Sequence, residues 1–196
     1  MEKTRRKVVV ITGTPCVGKT EVSEILHEEY GLDIIHSGEV VAKERLYSSY
    51  DASRKTHIVD LRRAARRVSN LVQRSTSDVV VEGHYAETLV SRKHHPIVVV
   101  LRCDPEVLEN RMMSKGYSVS KIKENLLSEI LDSCLIESIK RQGKERIAEI
   151  DTTGKSPSAV ARLIIDIIKG ESKAGFGGID WLGKLEESGK LERFLD

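Results

Sequence analysis

The sequence has no apolar run approaching the roughly 20 residues that span a bilayer. The only apolar stretch behind its basic N-terminus, residues 8–11, is too short for the core of a secretion signal and reads as a first strand. Cysteines are few and odd in number. Cys16, Cys103 and Cys134 also lack metal-ligand spacing, so neither a disulfide framework nor a zinc site is expected. There is no internal repeat, and a net charge of +2 is too small to imply a polyanionic partner by itself. What is present is 196 residues, 39% hydrophobic and 32% charged. That composition excludes collagen, coiled-coil and disordered classes. It leaves one soluble domain with a small appendage, expected to be cytoplasmic and to have no membrane partner.

Charge is uneven along the chain. Between positions 54 and 74, Arg54, Lys55, Arg62, Arg63, Arg66, Arg67 and Arg74 face one acid, Asp60. Such an excess attracts phosphates, although a solvated helix face has the same composition.

Hydrophobic periodicity divides the chain into alternating strands and helices. Residues 7–12 are a β-branched run typical of a strand buried on both faces. A helix follows over 18–30, stopped by Gly31, then a short strand over 32–35 and a helix from Ser37 to about 46. After a polar break the spacing predicts a helix over 56–74. Strands are expected over 78–82 and 96–101. Asp104-Pro105-Glu106 starts a helix that Gly116 ends. Ser118 or Ser120 opens a long helix to about 141, a weak strand covers 147–151, and Ser156-Pro157 starts a last helix through 169. Residues 170–178 form a glycine-rich, flexible linker. The tail to 196 is amphipathic, suited to packing on the domain or on a partner. Strands separated by helices imply an α/β fold in three layers: a central parallel sheet of about five strands with helices on both faces. Ligands of such sheets lie beyond the carboxyl ends of the strands.

Gly13-Thr14-Pro15-Cys16-Val17-Gly18-Lys19-Thr20 fits G-x-x-x-x-G-K-[ST] between a strand and a helix. Glycines at these places let backbone N–H groups converge on phosphate oxygens at a helix N-terminus. Lys19 reaches the β- and γ-phosphates and Thr20 offers a hydroxyl to Mg²⁺, so the chain reads as a P-loop NTPase that binds a nucleoside triphosphate. Glu82, at the end of a neighbouring strand, is the candidate metal-organising acid. His84 follows as a residue able to position water or substrate phosphate.

These residues resemble the adenylate kinase 6-like family of small P-loop kinases, found in archaea and eukaryotes and linked to small ribosomal subunit maturation. The resemblance runs through residues 11–20, Tyr50-Asp51, Val59-Asp60, Val80 through Tyr85, Arg111, Lys115-Gly116-Tyr117-Ser118, Lys121-Ile122, Glu124-Asn125, Glu129-Ile130 and Asp151 through Lys155. It implies a nucleoside monophosphate kinase domain over 1–169 that transfers the γ-phosphoryl of ATP to AMP. The monophosphate region would be about 37–74, the lid about 115–125. Arg111 would stack on adenine and Lys155 would border the base. Glu82 and His84 would be catalytic, and His84 is associated with ATP hydrolysis in the family. Lys19 would be catalytic at the triphosphate and lid closure would bring Lys115, also catalytic, and Lys121 over the transferring group, while Ser37, Arg62, Arg63 and Gly83 would contact the acceptor.

Three departures stand out. Cys16 replaces a usual glycine, Lys115 replaces a lid arginine, and Ser37-Gly38-Glu39 lacks the arginine that ordinarily follows. Arg45, Arg62 or Arg63 must then hold the acceptor phosphate. Cys16, among converging amides and beside Lys19, is expected to be oxidisable, with loss of ATP binding. The rival reading is an ATP-driven assembly factor that grips a small-subunit ribosomal protein or pre-rRNA through the basic 54–74 segment and the tail, with incidental kinase activity.

Overall fold

The computed structural model describes residues 6–52, 56–172 and 174–195. Its first strand, β1 (Val8–Thr12), is wholly buried because it lies at the centre of a five-stranded sheet. The other strands are β2 (Asp33–His36), β5 (Val79–Glu82), β6 (Ile97–Arg102) and β7 (Ile147–Asp151), in the order β2-β5-β1-β6-β7 with every pairing parallel. Between them run α1 (Lys19–Tyr30), α2 (Ser37–Lys43), α3 (Leu61–Arg74), α4 (Ala86–Leu89), α5 (Pro105–Ser114), α6 (Val119–Ile130), α7 (Ser133–Gln142) and α8 (Pro157–Lys169).

Alternation along the strands builds two cores. Val9, Ile11, Val80, Val99 and Leu101 face α1, α5, α6 and α8. Val8, Val10, Val79, Val81, Val98 and Val100 face α2, α3, α4 and α7. The P-loop fold, three layers around a parallel sheet, is therefore present as the periodicity implied.

Two expectations are corrected. Residues 56–59 are not helical: Tyr47–Asp51 (β3) and Thr56–Val59 (β4) pair as an antiparallel hairpin, and helix α2 ends at Lys43. The rings of Tyr47 and His57 stack at 4.5 Å across the hairpin, and α3 starts only after Asp60, whose carboxylate accepts from the Arg63 amide at 3.1 Å. The long helix over 118–141 is two helices. Asp132 breaks it with φ 55°, its carboxylate held at 2.6 Å by Arg102. The tail takes the first of its two expected placements, on the domain. Helices α9 (Trp181–Glu187) and α10 (Glu192–Leu195) pack back so that Trp181, Leu185 and Phe194 are buried. The glycine-rich linker lies against β7, where Glu149 N donates to Gly175 O at 2.8 Å. Arg54 and Lys55 of the basic segment lie outside the described residues.

Candidate active site

Residues 13–18 join the carboxyl end of β1 to α1. A glycine is forced at 13: its φ is 140°, and a Cβ would lie 2.3 Å from the carbonyl oxygen of Leu101. Cys16 takes φ 69°, a region side chains rarely enter, which is the physical reason glycine suits this place better.

The carbonyls of the loop are held by side chains. Lys19 Nζ donates to Gly13 O and Thr14 O at 2.9 Å each, and His84 Nδ1 lies 3.3 Å from Gly13 O. Arg111 donates to Cys16 O at 3.4 Å and Thr152 Oγ1 to Val17 O at 3.0 Å. With these carbonyls engaged, the amides of the loop and of the first turn of α1 are left for an anion. Burial pushes the Lys19 ammonium below the usual lysine range, with the charge of Glu82 opposing the shift. Incoming phosphate would favour the charged form and draw Lys19 off the carbonyls.

Glu82 stands at the end of β5, paired in register with Ile11 on one side and His36 on the other. His36 Nδ1 approaches its carboxylate at 2.9 Å. Ser37, buried, donates its hydroxyl to Glu82 O at 2.7 Å. Gly83 closes against it, since a Cβ there would lie 2.1 Å from Ser37 Oγ. Ser37 and Gly83 thus lock the tops of β2 and β5 together. His84 is pushed toward the neutral form by burial and by the charge of Lys19. Its Nδ1–H points to a carbonyl, which leaves Nε2 as an acceptor.

Two cavities flank the loop. One of about 530 Å³ is lined by Cys16, Val17, Arg111, Lys115, Thr152 and Lys155 among others. The second, about 730 Å³, lies on the opposite side and includes Pro15, His84, Glu87, Lys121, Asn125 and Lys140. The structure therefore brings Arg111 and Lys155 together beside the loop. It places Lys115 and Lys121 at different cavities. Lys115 is exposed, 3.5 Å from Glu21 at the first cavity, whereas Lys121 faces the second. Arg62 and Arg63 are exposed on the first turn of α3 and line neither cavity. Thr20 is exposed at the start of α1.

Several residues of the site escaped sequence reading. Glu87, buried on α4, accepts from Thr12 Oγ1 at 2.6 Å, and burial raises its carboxyl above the usual range. Beneath the loop, Glu129 accepts from Thr14 Oγ1, from Arg102 Nε at 2.7 Å, from Cys103 N at 3.1 Å and from Trp181 Nε1 at 3.2 Å. The same guanidinium reaches Glu149 and Asp132, so a buried arginine is compensated by three carboxylates. The only available signal was the charge at 102 ending an otherwise apolar strand.

Comparison with known proteins bears on this geometry. Residues 9–132 match the family described as "AAA domain". A protein of Methanothermobacter thermautotrophicus named "Putative adenylate kinase" is 40% identical over 91% of this chain and 99% of its own. One of the same name from Methanocaldococcus jannaschii is 33% identical over 90% and 93%. The chain belongs to the adenylate kinase 6-like family of P-loop proteins. Its P-loop kinase fold is shared more widely. Shikimate kinase from Acinetobacter baumannii superposes with a TM-score of 0.60 at 19% identity, covering 86% of this chain and 96% of that one. The tunicamycin resistance protein of Deinococcus radiodurans gives 0.56 at 17% identity, covering 88% and 100%. Family membership makes the chain a kinase-type nucleotide-binding protein. Among the described residues no helix is long and apolar enough to cross a membrane.

Proposed function

We propose that the protein is an adenylate kinase, transferring the γ-phosphoryl of ATP to AMP to give two ADP. The observation that carries this reading is the pair of cavities on opposite sides of one phosphate loop. A hydrolase needs room for one nucleotide and water; a second large cavity opening onto the loop suits a second substrate. The adenine of ATP would occupy the cavity of Arg111 and Lys155, with the guanidinium stacked on the base. The triphosphate would lie on the loop amides and Lys19. The phosphate of AMP would approach from the His84 side, where Lys121 and Lys140 supply positive charge. Arg62 and Arg63 would reach it as the 37–74 region closes, with 115–125 excluding water as a lid.

Magnesium fits the oxygen donors present. Thr20 offers a hydroxyl at the start of α1, and Glu82 stands on the adjoining strand. Among the described residues no group of three or more His, Cys, Asp or Glu is placed to cage a metal, as suits an ion held chiefly by phosphates and water. When bound, it neutralises charge on the β- and γ-phosphates. In the absence of AMP, water in the acceptor cavity would attack the γ-phosphorus and give up its proton to His84 Nε2, so slow ATP hydrolysis is expected.

The test is ADP formation with and without AMP, and the reverse reaction from ADP alone. Strong dependence on AMP together with ATP formation from ADP supports the kinase. Equal phosphate release with or without AMP sinks it and makes the protein an ATP-hydrolysing switch, the role in which a ribosomal protein or pre-rRNA would be its partner.

A further inference from the structure

The sheet has a second chemically distinct end. Parallel pairing sets the N-terminal ends of β1, β6 and β7 side by side, and each of these strands is preceded by basic residues. Arg6 and Lys7 precede β1, His94 and His95 precede β6, and Arg146 precedes β7. Positions about 50 to 140 apart in sequence thereby converge. Together with two apolar side chains they line a cavity of about 320 Å³ to which no carboxylate contributes.

The partners of these cations are main-chain carbonyls. Arg6 Nη1 donates to Ser75 O, Lys7 Nζ to Ile168 O, and Arg146 Nη1 to His95 O at 2.7 Å. Among the described residues none of the five is ion-paired. The nearest acid in contact, Asp78, is engaged by the main-chain amide of Lys7 at 2.7 Å. The Nε–H of Arg6 is buried without a hydrogen-bond partner, an unmet donor of the kind a ligand or ion would satisfy. His94, 3.0 Å from Ser69 Oγ, is held toward neutrality by burial and by the charges of Lys93 and Arg6.

We propose that this cleft is a binding site for a phosphate group, separate from the phosphate loop and at the opposite end of β1. Guanidinium and ammonium groups arriving ahead of β1 and β7, with two imidazoles ahead of β6, suit a tetrahedral anion with several acceptor oxygens better than a single planar carboxylate. The cavity exceeds one phosphate, so the group it takes belongs to a larger molecule: a phosphorylated small compound or a phosphodiester backbone. The length of β1, roughly 17 Å, separates the two sites.

The experiment follows the ring resonances of His94 and His95 by NMR in the full chain, with ADP saturating the phosphate loop. Inorganic phosphate is titrated against chloride of matched ionic strength. The expected result is a saturable shift specific to phosphate and a raised titration midpoint for His94, because a bound anion favours its protonated form. Arg6→Gln with Arg146→Gln should weaken binding about tenfold or more while leaving turnover unchanged. Arg146 is exposed, so Arg146→Gln alone, which spares the core, serves if the double variant is unstable. An oligouridylate then separates the sources. Displacement of phosphate with steep salt dependence identifies a nucleic-acid backbone, and failure to displace it identifies a small phosphorylated compound. The proposal falls if phosphate moves these rings no more than chloride does, or if the variants bind as the parent does. Because the readout needs no turnover, it stands or falls independently of the kinase reading.

Discussion

Lys19 is the residue whose loss reads out most directly, since its ammonium sits on the carbonyls of the phosphate loop itself. Lys19→Ala is expected to lower kcat/KM for ATP by roughly 10²-fold or more, measured by coupled ADP formation. Glu87 makes a subtler prediction. Its carboxyl is raised by burial, so the folded state binds a proton that the unfolded state releases above its ordinary value, and stability falls as pH rises through that interval. Glu87→Gln removes the loss. Its melting temperature should exceed the parent's at pH 7 and converge with it toward pH 4.5, the ordinary value. At Gly83 the argument is steric. Gly83→Ala, with Cβ 2.1 Å from Ser37 Oγ at φ 152°, should cut activity and stability, and Ser37→Gly should restore part of both by removing the clash. Cys16, at the wall of the base cavity, should be modified by peroxide with loss of ATP binding, and ATP should protect it. The sequence made the phosphate loop legible because its parts are contiguous. His36, Glu87 and Glu129 were not legible, since their partners lie 46, 75 and 115 residues away.

Secondary structure was readable wherever burial on one or both faces imposed a clean period, as in β1, β5, β6 and α8. It misled where a side chain's partner overrode local propensity. Thr56-His57-Ile58-Val59 continues the helical spacing of α3, yet these residues pair with β3 and hand over to the helix only at the Asp60 cap. Asp60→Ala should therefore cost about 1 kcal/mol, seen as a lower denaturant midpoint with unchanged slope. The split between α6 and α7 has a similar origin. Apolar spacing runs straight through 131–132, but Asp132 turns left-handed and meets Arg102. That contact cannot be seen without knowing that β6 ends beside the turn.

Across the whole molecule, the buried carboxylate of Glu129 joins the phosphate loop to the C-terminal tail: one oxygen accepts from Thr14, the other from Trp181 Nε1. Trp181 is the only tryptophan in the chain, so its emission should respond to saturating ADP or ATP. Trp181→Phe, which keeps an aromatic side chain and loses the N–H donor, should weaken nucleotide binding more than it weakens folding, read by calorimetric titration and denaturant midpoint. A tail that could equally have served a partner is instead part of the domain's core, a distinction amphipathic spacing alone does not make.

The linker contact with β7 has a consequence for the isolated domain. β2 and β7 are the two outer strands of the sheet, and the Glu149 amide on the outward side of β7 is met by Gly175. A chain cut before that glycine would leave the Glu149 amide unmet on an outer strand, inviting a second molecule to add on there. Shortened versions should self-associate in sedimentation while the full chain does not. The last stretch of sequence would then be a guard against aggregation as well as a support for the nucleotide loop.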